Sequence, residues 1–235
     1  MELKEVMAEL ESMGSEQTKK TFTNHGCTAP FFGVKVGDMK KVLKHIKKDQ
    51  ALAHELYNTG NADAQYLAGL SADPKQFSKE ELENWALSAT WHMVSEYSVA
   101  WNVSESEHCL ELCEKWIHSD NTVLQQTGWA SLGSYLLYEK RPEIDQAYFR
   151  KLIDYVVENI HQSENRVRYT MNGFLIALGG AEEDFYSECV EATKKIGKVE
   201  VFMGKTACKV PFGPDYLKKM KDMGRIGKKK KTMKC

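Results

Sequence analysis

The sequence lacks the features that mark membrane, secreted or disordered proteins. Its longest apolar run, GFLIALGGA at 173–181, is far shorter than the roughly 20 residues that a membrane-spanning helix needs. The first residues, MELKEVMAELESMG, are charged and amphipathic, which does not fit a signal peptide. Five prolines and 28% charged residues exclude a proline-rich or mainly disordered chain. We therefore expect a cytoplasmic globular protein that does not contact membranes.

The six cysteines show no spacing typical of a disulfide framework. Only Cys109 and Cys113 are close in sequence, and no second pair or histidine cluster completes a metal site. Because free cysteine packs as a small hydrophobe, we predict buried thiols in a reducing compartment. Neither a metal nor a cofactor is expected.

A basic surplus is also missing, since the formal net charge is −1. That average argues against a nucleic-acid binder, but it hides an asymmetry along the chain. Residues 205–235 hold 11 Lys and Arg against 2 Asp, whereas residues 1–204 hold 21 basic against 31 acidic residues. We therefore divide the chain into a helical domain, 1–204, and a basic C-terminal extension, 205–235, with a short helix at 214–223. Such asymmetry indicates a polyanionic partner.

What the sequence does contain is helical periodicity almost throughout. Two capping boxes, Ser78 with Glu81 and Ser104 with Glu107, indicate the starts of helices. Alternation typical of a strand occurs only at 198–202 (KVEVF), and it is short. The apolar spacing predicts helices over 2–13, 38–47, 78–89, 143–160 and 182–196.

A repeat is visible in three segments that open on asparagine and reach glycine seven or eight residues later. They are Asn61–Gly69, Asn121–Gly128 and Asn165–Gly173. Paired helices that recur every 40 to 60 residues favour an all-α solenoid of HEAT-like repeats over an irregular helical domain. Glycine inside a helix costs up to about 1 kcal/mol, so we expect a neighbouring helix to approach closely at each one.

Four segments, 31–46, 52–74, 116–132 and 165–180, resemble the HEAT-like DNA alkylation repair family, the alkylpurine DNA glycosylases. The likeness extends over about residues 25–197. The resemblance implies an all-α superhelix of antiparallel helix pairs whose concave face holds duplex DNA. Active members remove cationic alkylated purines without flipping the base into a pocket, unlike most glycosylases.

In active members, a Trp faces the lesion, a carboxylate four residues later stabilises the sugar cation, an Arg clamps a phosphate, and a second Trp follows. The resemblance assigns these roles here to Trp91, Glu96 and Gln126. Glu96 is one residue beyond the expected position, which in a regular α-helix turns it away by about 100°. The Arg position falls on Gln126, which carries no charge, and the second Trp position falls on Gly173. We therefore expect any alkylpurine excision to be weak.

Basic residues in four places are the candidates for DNA contact. They are Lys35, Lys40, Arg166, Arg168, Lys228, Lys229, Lys230 and Lys231. The alternatives are a catalytically inactive DNA-binding protein, a protein-interaction scaffold of the same fold, and a hydrolase built around His92 and Glu96. The last rests only on a His-x₃-Glu spacing, which is typical of structural hydrogen bonds.

Overall fold

The computed structural model describes residues 1–234, which are predominantly helical and contain no strand. A π-helical segment, Val94–Val99, runs directly into α7. Thirteen α-helices lie in the described part of the chain: α1 (Leu3–Met13), α2 (Glu16–Asn24), α3 (Val36–Ile46), α4 (Gln50–Asn58), α5 (Ala62–Ser71), α6 (Lys79–Leu87), α7 (Ala100–Ser104), α8 (Cys109–Ile117), α9 (Thr122–Leu137), α10 (Gln146–Asn159), α11 (Asn165–Ala181), α12 (Tyr186–Ile196) and α13 (Gly213–Asp222).

The helices predicted from apolar spacing are confirmed, with ends that differ by four residues at most. The capping box before α6 is also present. Ser78 Oγ accepts a hydrogen bond from the Glu81 amide at 3.2 Å, and the Glu81 carboxylate accepts one from the Ser78 amide at 2.8 Å. Local signals were sufficient here because both partners of each bond lie within one turn.

Two local predictions are wrong. Ser104 ends α7 and does not begin the next helix, because its hydroxyl donates to the Trp101 carbonyl at 2.9 Å. The 198–202 segment forms no strand. The amide and the carbonyl of Phe202 both bind the Asn165 side chain, at 2.7 and 3.0 Å, instead of a neighbouring strand.

The chain forms two compact units. The first contains Met1–His108 and Met203–Ala207 together with Lys234, and the second contains Cys109–Phe202 and Cys208–Met233. In each unit, helices joined by short connections pack as neighbours, which is the arrangement expected for antiparallel helix pairs.

In the first unit, α5 is buried along its whole length between α4 and the π-helical segment. The Asn61 side chain caps α5 by accepting the amides of Asp63 and Ala64. At Gly69 the neighbouring backbone comes so close that an added Cβ would overlap Ser98. Asn102 Nδ2 then donates to the Gly69 carbonyl at 2.9 Å, so hydrogen bonding accompanies the close packing.

In the second unit, α9 and α11 run parallel. The rings of Trp129 and Phe174 lie 5.1 Å apart, and one turn further a Cβ at Gly133 would lie 3.6 Å from that of Ala177. Paired positions are therefore 44 or 45 residues apart in sequence, within the spacing of a HEAT repeat. The predicted repeat thus corresponds to two neighbouring helices whose contacting residues lie one repeat length apart in sequence.

The close approach predicted at the three glycines is confirmed at two of them. Gly69 faces Ser98, and a Cβ at Gly128 would lie 3.0 Å from Ile117. The prediction is wrong at Gly173, which is exposed and where an added Cβ would meet nothing within 4 Å. The prediction that Asn165 opens the third segment as a helix cap is also wrong, because Asn165 is the first residue of α11 and Glu164 occupies the cap position.

A buried carboxylate holds the segment that leads into α3. Asp63 accepts hydrogen bonds from the amides of Phe32, Gly33 and Val34 at 2.6, 2.9 and 3.0 Å. Burial raises the pKa of Asp63, and the three amide donors partly oppose that shift. These bonds place the start of α3, and with it Lys35, relative to α5.

The residues after position 205 are folded onto the helical units. Helix α13 packs on α11 and α12 with Leu217 fully buried. Further on, the Lys230 amide donates to the Leu137 carbonyl at 2.8 Å, and the Lys230 carbonyl accepts the Glu139 amide at 2.9 Å. The lysine run is therefore fastened through its backbone.

Lys234 is anchored in the first unit. Its Nζ donates to the Ala72 carbonyl at 2.5 Å and to Asn102 Oδ1 at 2.7 Å. Burial lowers the pKa of Lys234 to about 7. The charged groups that face it are two acids, which raise its pKa, and two lysines, which lower it: Glu105, Asp73, Lys47 and Lys48.

Four of the five described cysteines are buried: Cys27, Cys109, Cys113 and Cys189. Cys208 is exposed, and no disulfide joins any of the five. Burial raises the pKa of the Cys27 thiol to about 11 and that of Cys189 to about 12, so both stay protonated at neutral pH. Within residues 1–234, no helix has the length and apolarity to cross a membrane.

We expect Gly69→Ala and Gly173→Ala to change stability in opposite directions. At Gly69 the new methyl group would overlap Ser98, so the free energy of unfolding should fall by about 1–3 kcal/mol. At Gly173 an added methyl group would meet nothing within 4 Å, so alanine should raise the free energy of unfolding by about 0.5–1 kcal/mol. Urea unfolding of the two variants and the wild type measures both values. A destabilised Gly173→Ala protein would contradict the open space at that position.

We expect Lys234 to make stability rise with pH. Its pKa is about 7 in the folded protein and near 10.5 when unfolded, so between these values the unfolded chain binds more protons. The free energy of unfolding should therefore increase from pH 7 to pH 9, and Lys234→Met should reduce that increase. The exposed Lys231→Met is the matched control and should keep it. Equal pH dependence in all three proteins would show that Lys234 is not buried as described.

Candidate nucleic-acid interface

Trp91 lies just before the π-helical segment of the first unit, and its indole is held on two sides. Nε1 donates to the His25 carbonyl at 3.2 Å, and the ring centroid lies 4.9 Å from that of Phe22. The residue is half-buried, so part of it remains accessible to solvent. Such a surface can stack on a base or attract a cation, but its N–H is already used.

His92 binds the same carbonyl as Trp91. Its Nε2 lies 3.1 Å from the His25 oxygen, and a carbonyl oxygen only accepts, so Nε2 carries the proton. In the neutral ring, this leaves Nδ1 as the nitrogen that can accept a proton. The contact therefore fixes the tautomer and the ring orientation, and the alternative of a hydrolase built on His92 and Glu96 stays a prediction.

Glu96 is buried, with 6% of its surface exposed, inside the π-helical segment Val94–Val99. Each hydrogen-bonded turn of a π-helix contains one residue more than a turn of α-helix. The rotation of 100° per residue assumed for a regular α-helix therefore does not apply between Trp91 and Glu96. The stretch is π-helical and not α-helical, so the value of 100° does not hold here, and the direction of the Glu96 side chain relative to Trp91 stays a prediction.

Gln126 belongs to α9 of the second unit and is also buried, with 6% exposed. It lies five residues after Asn121, whose side chain caps α9 through the amides of Val123 and Leu124. The structure thus places Trp91 and Glu96 in one unit and Gln126 in the other. Its role toward a phosphate stays a prediction.

The two arginines at the start of α11 point to different sides of the helix. They are two residues apart, which is a rotation of about 200°. The Arg166 guanidinium lies over the Tyr169 ring at 4.3 Å, a cation–π contact on the helix surface. Arg168 is half-buried, and its Nε is buried without a hydrogen-bond partner in the described part of the chain. The pair is therefore not one cationic cluster.

One face of α11 is partly exposed, with Arg166 and Tyr169 half-buried and Gly173 exposed. Arg166, Tyr169 and Gly173 follow one another at helical spacing on that face, and Gly173 leaves free space. The position at which the resemblance places a second Trp thus has no ring. The open face carries one guanidinium and one phenol ring instead.

The lysines predicted to contact DNA in the first unit are solvent-exposed. Lys35 immediately precedes α3, and Lys40 lies on its outer surface, opposite the buried Met39 and Val42. Both positions suit a point-charge contact with phosphate.

The lysine run at 228–231 has one member that differs from the rest. Lys229 Nζ forms an ion pair with Glu182 at 2.9 Å, and Arg141 binds the same carboxylate. Lys228, Lys230 and Lys231 project from the anchored backbone as exposed residues. Three lysines of the run are therefore available for contact with a ligand, whereas Lys229 is already in an ion pair with Glu182.

Sequence reasoning missed the contact between Asn165 and Phe202. The asparagine is read from sequence as a helix cap, but it binds the backbone of a residue 37 positions later. Phe202 is 74% exposed, more than any other large hydrophobic residue in the described chain. No local signal marks this pair, because its partners meet only in the folded protein.

No group of three or more His, Cys, Asp or Glu side chains within residues 1–234 is placed to hold a metal ion. The elements that could contact a ligand are instead rings and cations: Trp91 in the first unit, Arg166 with Tyr169 in the second, and the exposed lysines. This is the chemistry of polyphosphate and base binding, through charge and stacking.

The chain is similar to known proteins over most of its length. Among solved structures, the chain is similar to one described as "a new family of proteins related to the HEAT-like repeat DNA glycosylases with affinity for branched DNA structures", with a TM-score of 0.91 and 35% identity over 100% of both chains. It is 34% identical to an uncharacterized protein of Listeria innocua and 33% identical to one of Listeria monocytogenes. Each match spans 220 residues, 91% of this chain and 95% of the relative.

The fold is therefore the all-α HEAT-like repeat fold expected from the sequence. The family described as "DNA alkylation repair enzyme" matches residues 6–210, most of the chain. The protein thus belongs to the DNA alkylation repair enzyme family.

Proposed function

We propose that the protein binds DNA without regard to sequence and prefers branched DNA to plain duplex. The similar solved structure, alike over its full length, is of a protein family with affinity for branched DNA. That likeness carries the proposal, and the rings and exposed cations of this chain are consistent with it. No base-reading helix or motif is required, since phosphate contacts alone give affinity.

We propose residues 1–204 as the helical DNA-binding domain and 205–235 as a basic extension that adds phosphate contacts. Lys35, Lys40 and Arg166 would supply cations from the helical domain, and Lys228, Lys230 and Lys231 from the extension. No disulfide joins the five described cysteines, which suits a reducing compartment, and we propose the cytoplasm.

Alkylpurine excision receives less support from the site. Gln126 is buried and uncharged where an Arg is expected, so it cannot clamp a phosphate as a guanidinium does. The second Trp of the family pattern is also missing, because its position is occupied by Gly173. The cationic leaving group would then rely on Trp91 alone for aromatic stabilisation.

Weak excision remains a second candidate because of the π-helical segment. Local π-helical turns occur frequently at functional sites, and this one contains Glu96, a carboxylate able to stabilise a sugar cation. On this proposal, Trp91 faces the lesion, Glu96 stabilises the sugar and Gln126 hydrogen-bonds a phosphate. A protein-interaction scaffold is the outcome if no DNA binds.

We expect a three-way junction to bind more tightly than a duplex of equal length, and both affinities to fall steeply with salt. Each neutralised phosphate adds about 0.9 to the slope of log K against log salt on duplex DNA. Replacing Lys228, Lys230 and Lys231 together with Gln should therefore lower that slope by up to about 2.7. Titrations between about 50 and 200 mM salt measure it.

Lys229→Gln is the matched control within the same run. Lys229 is already paired with Glu182, so its loss should leave the slope nearly unchanged. Absence of binding to either DNA at low salt would contradict the proposal and favour the scaffold. Equal binding of junction and duplex would contradict only the branched preference.

We expect release of 7-alkylguanine from a defined duplex to stay within a few-fold of the spontaneous rate. The cause is the missing guanidinium and second ring, and Glu96→Gln should remove whatever enzymatic release exists. A single-turnover assay with excess protein measures the rate. The exposed Glu107→Gln is the control for a general loss of one negative charge.

Two results would decide against parts of this proposal. Rapid release by the wild type would show that the chain is an active glycosylase despite Gln126 and Gly173. Rapid release that survives in Glu96→Gln would show that the carboxylate is not at the reacting sugar.

A further inference from the structure

We propose that Phe202 is a stacking platform for a base-pair face exposed at a DNA branch point. The inference rests on the proposed DNA-binding function and names the group that would recognise the branch. It starts from an unusual combination in the second unit, a largely exposed ring on a tightly held backbone.

The backbone of Phe202 is held by a side chain that occupies both of its hydrogen-bonding groups. Asn165 Oδ1 accepts the Phe202 amide at 2.7 Å, and Asn165 Nδ2 donates to the Phe202 carbonyl at 3.0 Å. Seven residues later on α11, Asn172 Nδ2 donates to the Pro211 carbonyl at 3.0 Å. Positions seven residues apart share one helix face, so two amides on that face hold Phe202 and Pro211.

The ring itself is not used by the fold. It is 74% exposed, and it has no ring contact or cation contact with any described residue. An exposed Phe on a fixed backbone has few rotatable bonds left to immobilise, so its loss of conformational entropy on stacking is small. Only the binding of a partner would remove the apolar area of this ring from water, which is energetically favourable.

The surroundings favour a nucleic acid as the partner. Arg166 follows Asn165 in the first turn of α11, and its guanidinium lies over the Tyr169 ring at 4.3 Å. Of the two acids close in sequence, Glu164 and Glu200, the latter forms an ion pair with Lys198. A flat ring with a guanidinium group at the same helix end matches a base face with a flanking phosphate.

The chemistry also favours a branch over a duplex. Inside a duplex, each base is covered on both faces by its neighbours, so a ring must first separate two stacked pairs, which costs a few kcal/mol. At a branch point, the stack is interrupted and a terminal pair can leave one face uncovered. A ring placed there gains stacking without that cost.

Phe202→Ala tests the proposal through affinity and its salt dependence. Stacking of a base on an aromatic side chain is sequence-tolerant, and its loss should weaken junction binding by about ten-fold. Duplex binding should change by less than about two-fold. Since no cation is removed, the slope of log K against log salt should stay the same while the affinity falls at every salt concentration.

Matched variants separate stacking from general apolarity and from position. Phe202→Trp should retain junction affinity, whereas Phe202→Leu, which keeps an apolar side chain and loses the ring, should not. Phe212→Ala removes a second exposed ring of the same unit and should have no effect. Asn165→Ala frees the backbone and keeps the ring, so it should weaken junction binding by about three-fold with an unchanged slope, as expected of a positioning residue.

The outcomes distinguish this inference from the function on which it rests. If wild-type protein does not prefer the junction, the proposed function fails and this inference fails with it. If the wild type prefers the junction and Phe202→Ala binds it equally well, only the stacking role is wrong. An equal loss on junction and duplex would also overturn it, because the ring would then not act at the branch.

Discussion

The close parallel packing of helices one repeat apart is the constraint on which the rest of this structure depends. In the second unit, α9 and α11 lie side by side with equivalent positions 44 or 45 residues apart, and Trp129 contacts Phe174. In the first unit, Gly69 lets the helix that contains Ser98 approach without a side chain between them. Because these helices are held in register, the residues of their first turns are presented at defined positions.

The candidate interface follows from the same packing, and so do its departures from the family pattern. A π-helical segment beside α5 contains Glu96 on a turn with an extra residue, and the half-buried Trp91 lies a few residues before it in the chain. On α11 the packed side carries Phe174, while Gly173 leaves the other side open. In the second unit, the exposed side of α11 thus carries Arg166 and Tyr169 where the family pattern has a second Trp.

Much of the fold could be predicted because its signals are local. The capping box at Ser78 and Glu81 closes within one turn, and the glycine at 69 indicates a tight helix contact. The errors arise where a cap residue makes a different hydrogen bond from the one its sequence pattern predicts, either with a distant partner or with the preceding turn. Asn165 is read as a cap but binds Phe202, and Ser104 is read as a helix start but ends one. For the candidate site, the sequence predicted the types of residue but not their geometry. One reason is that Glu96 lies in a π-helical segment, where the rotation of an α-helix does not apply.

The sequence by itself determined the helical class, the repeat and the uneven charge of the chain, because periodicity, caps and composition do not depend on distant contacts, and its four similar segments indicated the family. Only the tertiary structure decided that Lys229 is paired while Lys228, Lys230 and Lys231 are exposed. It likewise decided that Lys234 is anchored at Asn102 and that Phe202 projects from a fixed backbone. These outcomes depend on groups far apart in sequence, whose burial and hydrogen bonding exist only once the chain has folded.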